Sequence, residues 1–418
     1  MDSDDQVEPR AFNPDGAVFV SYRQSDGSVL AEEVSWALRG CGLPVWRDKQ
    51  DLLPGDFNER IRQAFDEGIS AAVVVITPDI AHSQVVKTVE VPQLLALHQL
   101  EPRFSLAILN AVATDGGRLD YAAPDSLLDI EGAYLKDTKQ YAHAGAGIKE
   151  LSVEMARRRM IELSRTNDSV LPIDIQTRTW PQASDARRGL VVRLRPSADA
   201  ARVPPMDAYR NFQTFLSACP QLLSASGADR VEVSGGAHLS MAFGIGVSLP
   251  RVRHIPLTVV DSAGSWDSTS NRASATTTLQ VEASDVSAGN GRLAVYVDVA
   301  EYSGDPLAFE RWLERNRSLV NRRVVVRALG GRIDSPSGQR LAEQIEGVIR
   351  ENALPLQHGH VDLFLRASFP VAVLLGRLLN TLTVTVYEWD NSSPPATYVE
   401  VATYEYGTNP LAGIASQL

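Results

Sequence analysis

The sequence predicts an α/β protein with two regions of parallel sheet, because three observations coincide. At 418 residues the chain exceeds what one ordinary core holds, so two or three domains are expected. Short apolar runs alternate with helical periodicity through roughly the first 110 residues, and alternate again from Gly189 onward. The second region also repeats itself. VEVSGGAHLSMAFGIGVSL from Val231 and VDLFLRASFPVAVLLGRLL from Val361 each read as a buried strand, a turn and an apolar helix.

In chain order, AVFVSYR is an apolar run suited to a buried parallel strand. SVLAEEVSWALRGCG places Leu30, Val34, Ala37 and Leu38 on one helical face and stops at Gly40 and Gly42. LPVWRD is a second strand, and Pro54 and Gly55 in KQDLLPG forbid regular structure. DFNERIRQAFDEG reads as a helix with Asp56 at its N-cap and Glu59 three residues on. AAVVVITP and FSLAILNA are further strands on either side of a helical VEVPQLLALHQ. The signal weakens over 112–187, where only IKELSVEMARRRMIELSR is amphipathic, and TNDSVLPIDIQTRTWPQASDARRG reads as an interdomain linker.

Beyond it, GLVVRLRP, VEVSG, IPLTVVD, LAVYVDVA, RRVVVRAL, VDLFLRA and LTVTVYEWD are strands. Helical segments fall between most of them, while 262–292 reads as exposed loop and edge strand. Aligning the two cassettes pairs Val231 with Val361, Ala237 with Ala367, Gly246 with Gly376 and Leu249 with Leu379, and sets Glu232 against Asp362. The same order of elements on both sides favours duplication.

Bulk composition narrows the function. A net charge of −11 opposes broad binding to polymeric nucleic acid, which needs many Lys and Arg against phosphates, but allows a small anion in a local pocket. Cys41 and Cys219 show no metal-ligand spacing, and no metal site is expected. With no apolar leader in MDSDDQVEPR and no run long enough for a membrane span, a cytoplasmic protein is expected. HExxH, P-loop and GxSxG patterns are absent, and a lone GAG from Gly145 is too weak for a dinucleotide fingerprint.

In parallel sheets, ligands settle beyond the carboxyl ends of the strands, where helix N-termini offer free N–H groups to anions. Ser234, Gly235, Gly236 and His238 occupy that position in the first cassette, and Arg366, Ala367 and Ser368 in the second. Arg366 can offer a forked pair of donors to a phosphate. Two facing cassettes would suit a ligand with repeating phosphates. The bland alternative stays open: Gly235 and Gly236 making only a tight turn, and Arg366 lying in solvent.

The pair VEVSGGAHLSMAFGIG and HVDLFLRASFPVAVLLGRLLNTLTVTVYEWD resembles a SAVED domain, a fusion of two CARF-like halves. That resemblance implies binding of a cyclic oligonucleotide, a cyclic di- or trinucleotide, made during bacterial CBASS antiviral signalling.

In the first region Glu90 is the carboxylate of interest. Val86, Val89, Val91 and Leu94 surround it in sequence, and a desolvated carboxylate interacts strongly with a developing cation. The solvated face of its helix is the other reading. AVFVSYRQSD, GLPVWRDKQDLLPGD and ITPDIAHS ahead of Glu90 resemble the successive signatures of a TIR domain. The resemblance implies cleavage of the nicotinamide–ribose bond of NAD by Glu90, although Val86 stands where a tryptophan is often found. It also assigns Tyr22, Arg23, Trp46 and Arg47 to the NAD site. On the residues alone, Trp46 can equally be core and Arg47 can pair with an Asp. Asp51, Leu52 and Leu53 would form the loop that contacts a neighbouring copy.

Together the resemblances imply a flavodoxin-like, parallel-sheet TIR domain at 13–165, a linker at 166–187 and a SAVED domain at 188–418. The latter would comprise two Rossmannoid halves, about 188–285 and 286–418. The implied effector binds its cyclic oligonucleotide, self-associates into an oligomer or filament, and hydrolyses NAD as substrate, with no cofactor. Its rivals are a TIR scaffold without catalysis and an enzyme that degrades the cyclic nucleotide itself.

Overall fold

The computed structural model describes residues 12–47, 66–130, 135–165, 169–180, 188–199, 203–251, 254–271, 277–286, 291–301, 306–329, 333–356, 359–379, 381–392, 394–405, 407 and 409–415. They group into two compact units. The first comprises Met1–Asp168, Pro181–Arg193 and Gln221–Gly227, and the second Ser169–Trp180, Leu194–Pro220 and Ala228–Leu418.

The first unit runs β1 (Phe12–Ser21), α1 (Gln24–Gly40), β2 (Val45–Trp46), β3 (Ile69–Ile76), α2 (Val91–Leu100), β4 (Ser105–Asn110), α3 (Ala123–Leu128), β5 (Gln140–Ala142) and α4 (Ala146–Ser164). Its strands pair in parallel in the order β2-β1-β3-β4-β5, the flavodoxin-like arrangement that strand–helix alternation predicts. Every residue of β3, ISAAVVVI, is buried, because a parallel strand in mid-sheet is covered on both faces. The core between sheet and helices gathers Phe19, Ile76, Leu94, Phe104 and Ile108. From α4, the buried Arg159 donates to the carbonyls of Gly16 at 2.7 Å and Asp15 at 2.9 Å, where the pairing of β1 with β3 shifts register. Burial lowers its pKa to about 10, so it stays charged at neutral pH. The loop with Asp51, Leu52 and Leu53, and the helix expected from Asp56, lie outside the described residues.

Next come β6 (Val170–Gln176), β7 (Leu190–Arg193, grouped with the first unit) and α5 (Met206–Ser226). The chain continues with β8 (Arg230–Gly236), α6 (Leu239–Ser248), β9 (Leu257–Asp261), β10 (Gly264–Asp267) and β11 (Thr278–Asp285). Then follow β12 (Arg292–Asp298), α7 (Leu307–Arg315), β13 (Val320–Leu329), α8 (Gly338–Ala353), β14 (His360–Arg366) and α9 (Phe369–Leu378). The last elements are β15 (Thr383–Asp390), β16 (Thr397–Tyr404) and β17 (Leu411–Ile414).

Two sheets organise the second unit. One carries β10-β9-β8-β6, and the other runs β11-β13-β12-β14-β15-β16-β17. The linker expected at 166–187 is corrected here, because it contains β6, which pairs in parallel with β8. Leu171, Ile173 and Ile175 alternate into the core, while Pro172 and Asp174, which break the apolar run, fall on the less buried face. β6-β8-β9 thus matches the parallel trio β12-β14-β15. As expected, β11 is an exposed edge strand, antiparallel to β13.

The two cassette helices, α6 and α9, pack against each other through their glycines. A Cβ on Gly246 would lie 2.0 Å from the Val373 carbonyl oxygen, and one on Gly376 would lie 2.1 Å from that of Phe243. The cassette alignment that equates Gly246 with Gly376 also equates Phe243 with Val373, so the contacts are reciprocal across a pseudo-twofold. Among the described residues no helix is long and apolar enough to cross a membrane.

At the strand starts of the second sheet, Arg292 pairs with Asp362, and His360 Nε2 lies 3.1 Å from Arg292 and 3.0 Å from Thr385. Tyr387 donates to Asp362 at 3.3 Å, and Glu400 lies 3.4 Å from the same hydroxyl. Burial pushes Asp362 up to about 7, and burial together with Arg292 holds His360 down to about 4. From about pH 4 to 6.5 the folded state keeps a proton on Asp362 that the unfolded chain loses, which erodes stability as pH rises. The unfolded chain meanwhile holds a proton on His360 that the folded state lacks, with the opposite slope. The two slopes cancel, so the contribution of this pair to stability in this window is expected to be flat in pH. A His360→Gln variant removes one side, and chemical denaturation is expected to show its stability falling relative to wild type by about 1.4 kcal/mol per pH unit there.

Candidate functional site

β1 ends at Ser21 and delivers Ser21, Tyr22 and Arg23 to the carboxyl edge of the first sheet, where parallel sheets form ligand sites. After β3 the chain reaches the same edge through a 3-10 turn, Pro78–His82, and a single π-helical turn, Val86–Glu90, that leads into α2. Such turns rotate side chains out of α-helical register and recur at functional sites. Val86 and Glu90 are the buried members of this turn, Val86 within the apolar core. Glu90 is 3% exposed, and its Oε2 accepts a hydrogen bond from the Ser21 hydroxyl. This rules out the solvated-face alternative for Glu90.

The other residues assigned to this site divide. Tyr22 and Arg47 are buried. Arg23 is engaged by Asp79 at 3.1 Å and Asp26 at 3.8 Å. Trp46 stacks on Phe19 with ring centroids 5.4 Å apart and belongs to the core cluster. Ser21, absent from the sequence reading, is a residue the structure sets directly against Glu90.

In the second unit a cavity of about 560 Å³ opens where the two cassettes meet the carboxyl end of β14. Arg366 and Ala367 line it from the second cassette, and Leu239, at the start of α6, from the first. Arg366 is held 3.2 Å from the buried Asp298. Ser368 precedes α9, and its Oγ is buried with no hydrogen-bond partner among the described residues.

The first cassette's turn is occupied by the protein itself. Ser234 donates to Asp174 at 3.2 Å. Gly235, at φ +114°, leaves 2.1 Å between a Cβ position and the Ile175 carbonyl oxygen, so only glycine fits beside β6. Gly236 packs beside the Gln176 side chain. His238 is buried, with Nδ1 2.7 Å from the Thr177 hydroxyl, which also accepts from the His238 N–H at 3.0 Å. At the N-terminus of α6, the Ser240 N–H donates at 2.7 Å to Glu388 of β15. Burial raises the Glu388 carboxyl and the Ser240 hydrogen bonds oppose the rise. Of the two helix N-termini read from the sequence, the first therefore carries an internal carboxylate, and the second meets the cavity.

Sequence reasoning missed Arg311, Trp389 and Tyr398, which also line the cavity. Arg311 donates to the neutral Ala396 carbonyl at 2.5 Å. Trp389 is 50% exposed, and Leu307 on the same rim is 55% exposed. Tyr296 forms the floor, stacked on Phe309 at 5.3 Å and edge-on to Tyr398 at 6.4 Å. Guanidinium groups beside aromatic faces suit a ligand with both phosphates and bases. The signal was present in PLAFERWLERNR, where Leu307 and Arg311 are four apart and share a helical face.

The comparisons agree with this division. A family model described as TIR domain matches residues 18–143, and SAVED, described as "SMODS-associated and fused to various effectors sensor domain", matches residues 217–403. The chain joins a TIR domain to a SAVED domain. Similar solved structures include the Acinetobacter baumannii Cap4 SAVED/CARF-domain containing receptor with the cyclic trinucleotide 2'3'3'-cAAA, at 11% identity and TM-score 0.47, covering 91% of this chain and 98% of that one. The Moraxella osloensis Cap4 receptor is similar at 11% identity and TM-score 0.42, covering 90% and 98%. No curated protein matches the chain. Glu90 lies within the TIR match, and the cavity residues lie within the SAVED match. Among the described residues, no group of three or more His, Cys, Asp or Glu side chains is placed to hold a metal ion.

Proposed function

We propose that the chain is a CBASS antiviral effector whose SAVED domain binds a cyclic oligonucleotide, a cyclic di- or trinucleotide, and whose TIR domain then hydrolyses NAD. Ligand-dependent self-association through the loop of Asp51, Leu52 and Leu53 links the two events, and loss of NAD stops an infected cell from supporting phage. The observation that carries the reading is the burial of Glu90 at the carboxyl edge of the TIR sheet, against Ser21.

One carboxylate suffices for this chemistry. The bond between ribose C1′ and the nicotinamide nitrogen breaks, its electrons neutralise the pyridinium, and an oxocarbenium-like ribose remains. Glu90 stabilises that cation; water adds at C1′ and releases a proton, leaving nicotinamide and ADP-ribose.

The sensing half rests on the cavity with Arg366 and Arg311. Arg311→Ala is expected to weaken cyclic-oligonucleotide binding about tenfold or more by calorimetry, since it removes a charge-assisted contact. Arg366→Ala is a less clean test, because it also removes the ion pair with the buried Asp298. Full affinity in Arg311→Ala would move the ligand elsewhere. The scaffold alternative predicts no NAD turnover under any ligand, and the degradative alternative predicts cleaved ligand in the mass spectrum after incubation.

A further inference from the structure

We propose that Ser21 is the positioning residue for Glu90: its hydroxyl fixes the carboxylate at the carboxyl edge of the TIR sheet and keeps it ready for the reacting ribose. The inference rests on the NAD-cleaving reading and adds to it the group that sets the acid's orientation. Ser21 is the last residue of β1 and 1% exposed, so its backbone is clamped by pairing with β3, where Ser21 sits opposite Val74. Glu90 comes from a separate element, and its Oε2 accepts the Ser21 proton. A carboxylate on a flexible side chain needs such a restraint, because rotational freedom at the reacting group dilutes productive geometry.

The bond also favours the ionised form of Glu90, the form able to face a developing cation, because a hydroxyl donor stabilises a carboxylate over the acid. Of the charged groups on the adjoining elements, Arg23 and Asp26 around the start of α1 and Asp79 in the 3-10 turn are engaged with one another, while the buried Arg47 follows β2 and Lys87 lies on the Glu90 turn itself. Val86 on the same turn is apolar and buried in the core.

The test compares full-length wild type with Ser21→Ala and Ser21→Thr, using NAD turnover with a panel of cyclic di- and trinucleotides. In parallel, the Glu90 carboxyl is titrated by carbon-13 resonance without any nucleotide, assigned with Glu90→Gln. In Ser21→Ala, kcat is expected to fall about tenfold with KM within about twofold. The acid limb of the rate profile and the carboxyl titration are both expected to move to higher pH. Ser21→Thr, which keeps the hydroxyl, is expected to restore both. An unshifted titration in Ser21→Ala overturns the proposal, whether or not activity drops, because a purely structural serine would act through stability alone. If wild type cleaves no NAD with any ligand, the functional reading fails and the titration alone decides whether Ser21 governs Glu90.

Discussion

Glu90→Gln is expected to lower ligand-activated NAD cleavage by about a thousandfold and to leave cyclic-oligonucleotide affinity unchanged. The first part follows from charge. The amide keeps size and shape but cannot offset a positive ribose, and losing one such electrostatic partner from a water-poor site costs about 3–4 kcal/mol of transition-state stabilisation. The second part follows from the domain division, since Glu90 lies in the TIR match and the cavity residues lie in the SAVED match. Chromatographic assay of nicotinamide release, with calorimetry on the same preparation, checks both. A Glu90→Gln protein that still turns over NAD would mean that another group carries the chemistry. Loss of nucleotide binding would mean that the substitution had damaged the fold.

Gly376→Ala is expected to destabilise the SAVED domain by about 3 kcal/mol or more, and Gly246→Ala by a similar amount. In each case the added methyl meets a backbone carbonyl of the facing helix, which cannot yield as a side chain would. Gly347, inside α8, is the control, because a Cβ there meets nothing within 4 Å. Gly347→Ala is expected to stabilise by about 0.5–1 kcal/mol through helix propensity. Thermal denaturation of the three variants separates the two outcomes. If the first two behave like Gly347→Ala, the reciprocal packing is not as tight as the duplicated cassettes imply.

Much of this architecture is legible in the sequence because burial on both faces writes itself as continuous apolar runs. AAVVVITP and FSLAILNA read as strands for that reason, and the cassette pair exposed the second region's internal symmetry. β6 was hidden because Pro172 and Asp174 interrupt a period-two pattern whose core members, Leu171, Ile173 and Ile175, were spaced correctly throughout. β5, three residues long, and α3, six, are too short to show any period. β16 carries its buried Tyr398, Val401, Ala402 and Tyr404 across a register shift in its pairing with β15, so the alternation breaks.

The sites were legible to a lesser degree. Glu90 was found by resemblance, whereas the Ser21 partner, 69 residues away, depends on tertiary contact that no local pattern encodes. Trp46 and Phe19 illustrate the reverse case, in which a motif residue is engaged in packing. In the first cassette, the glycine pair that suggested a phosphate cradle instead lets β6 approach β8, and Glu388, 148 residues beyond Ser240, caps the helix. The two cassettes share a backbone pattern, while the side chains around them differ.

The central claim, that a nucleotide bound by the SAVED domain switches on NAD hydrolysis by the TIR domain, is tested most directly by one assay. NAD consumption by the full chain is followed with and without a panel of cyclic di-, tri- and tetranucleotides, with light scattering recorded alongside. The account predicts that a single ligand raises cleavage and scattering together, and that Glu90→Gln keeps the scattering while losing the cleavage. NAD loss that proceeds equally without ligand, or a ligand that binds and assembles the protein with no NAD loss, would contradict it.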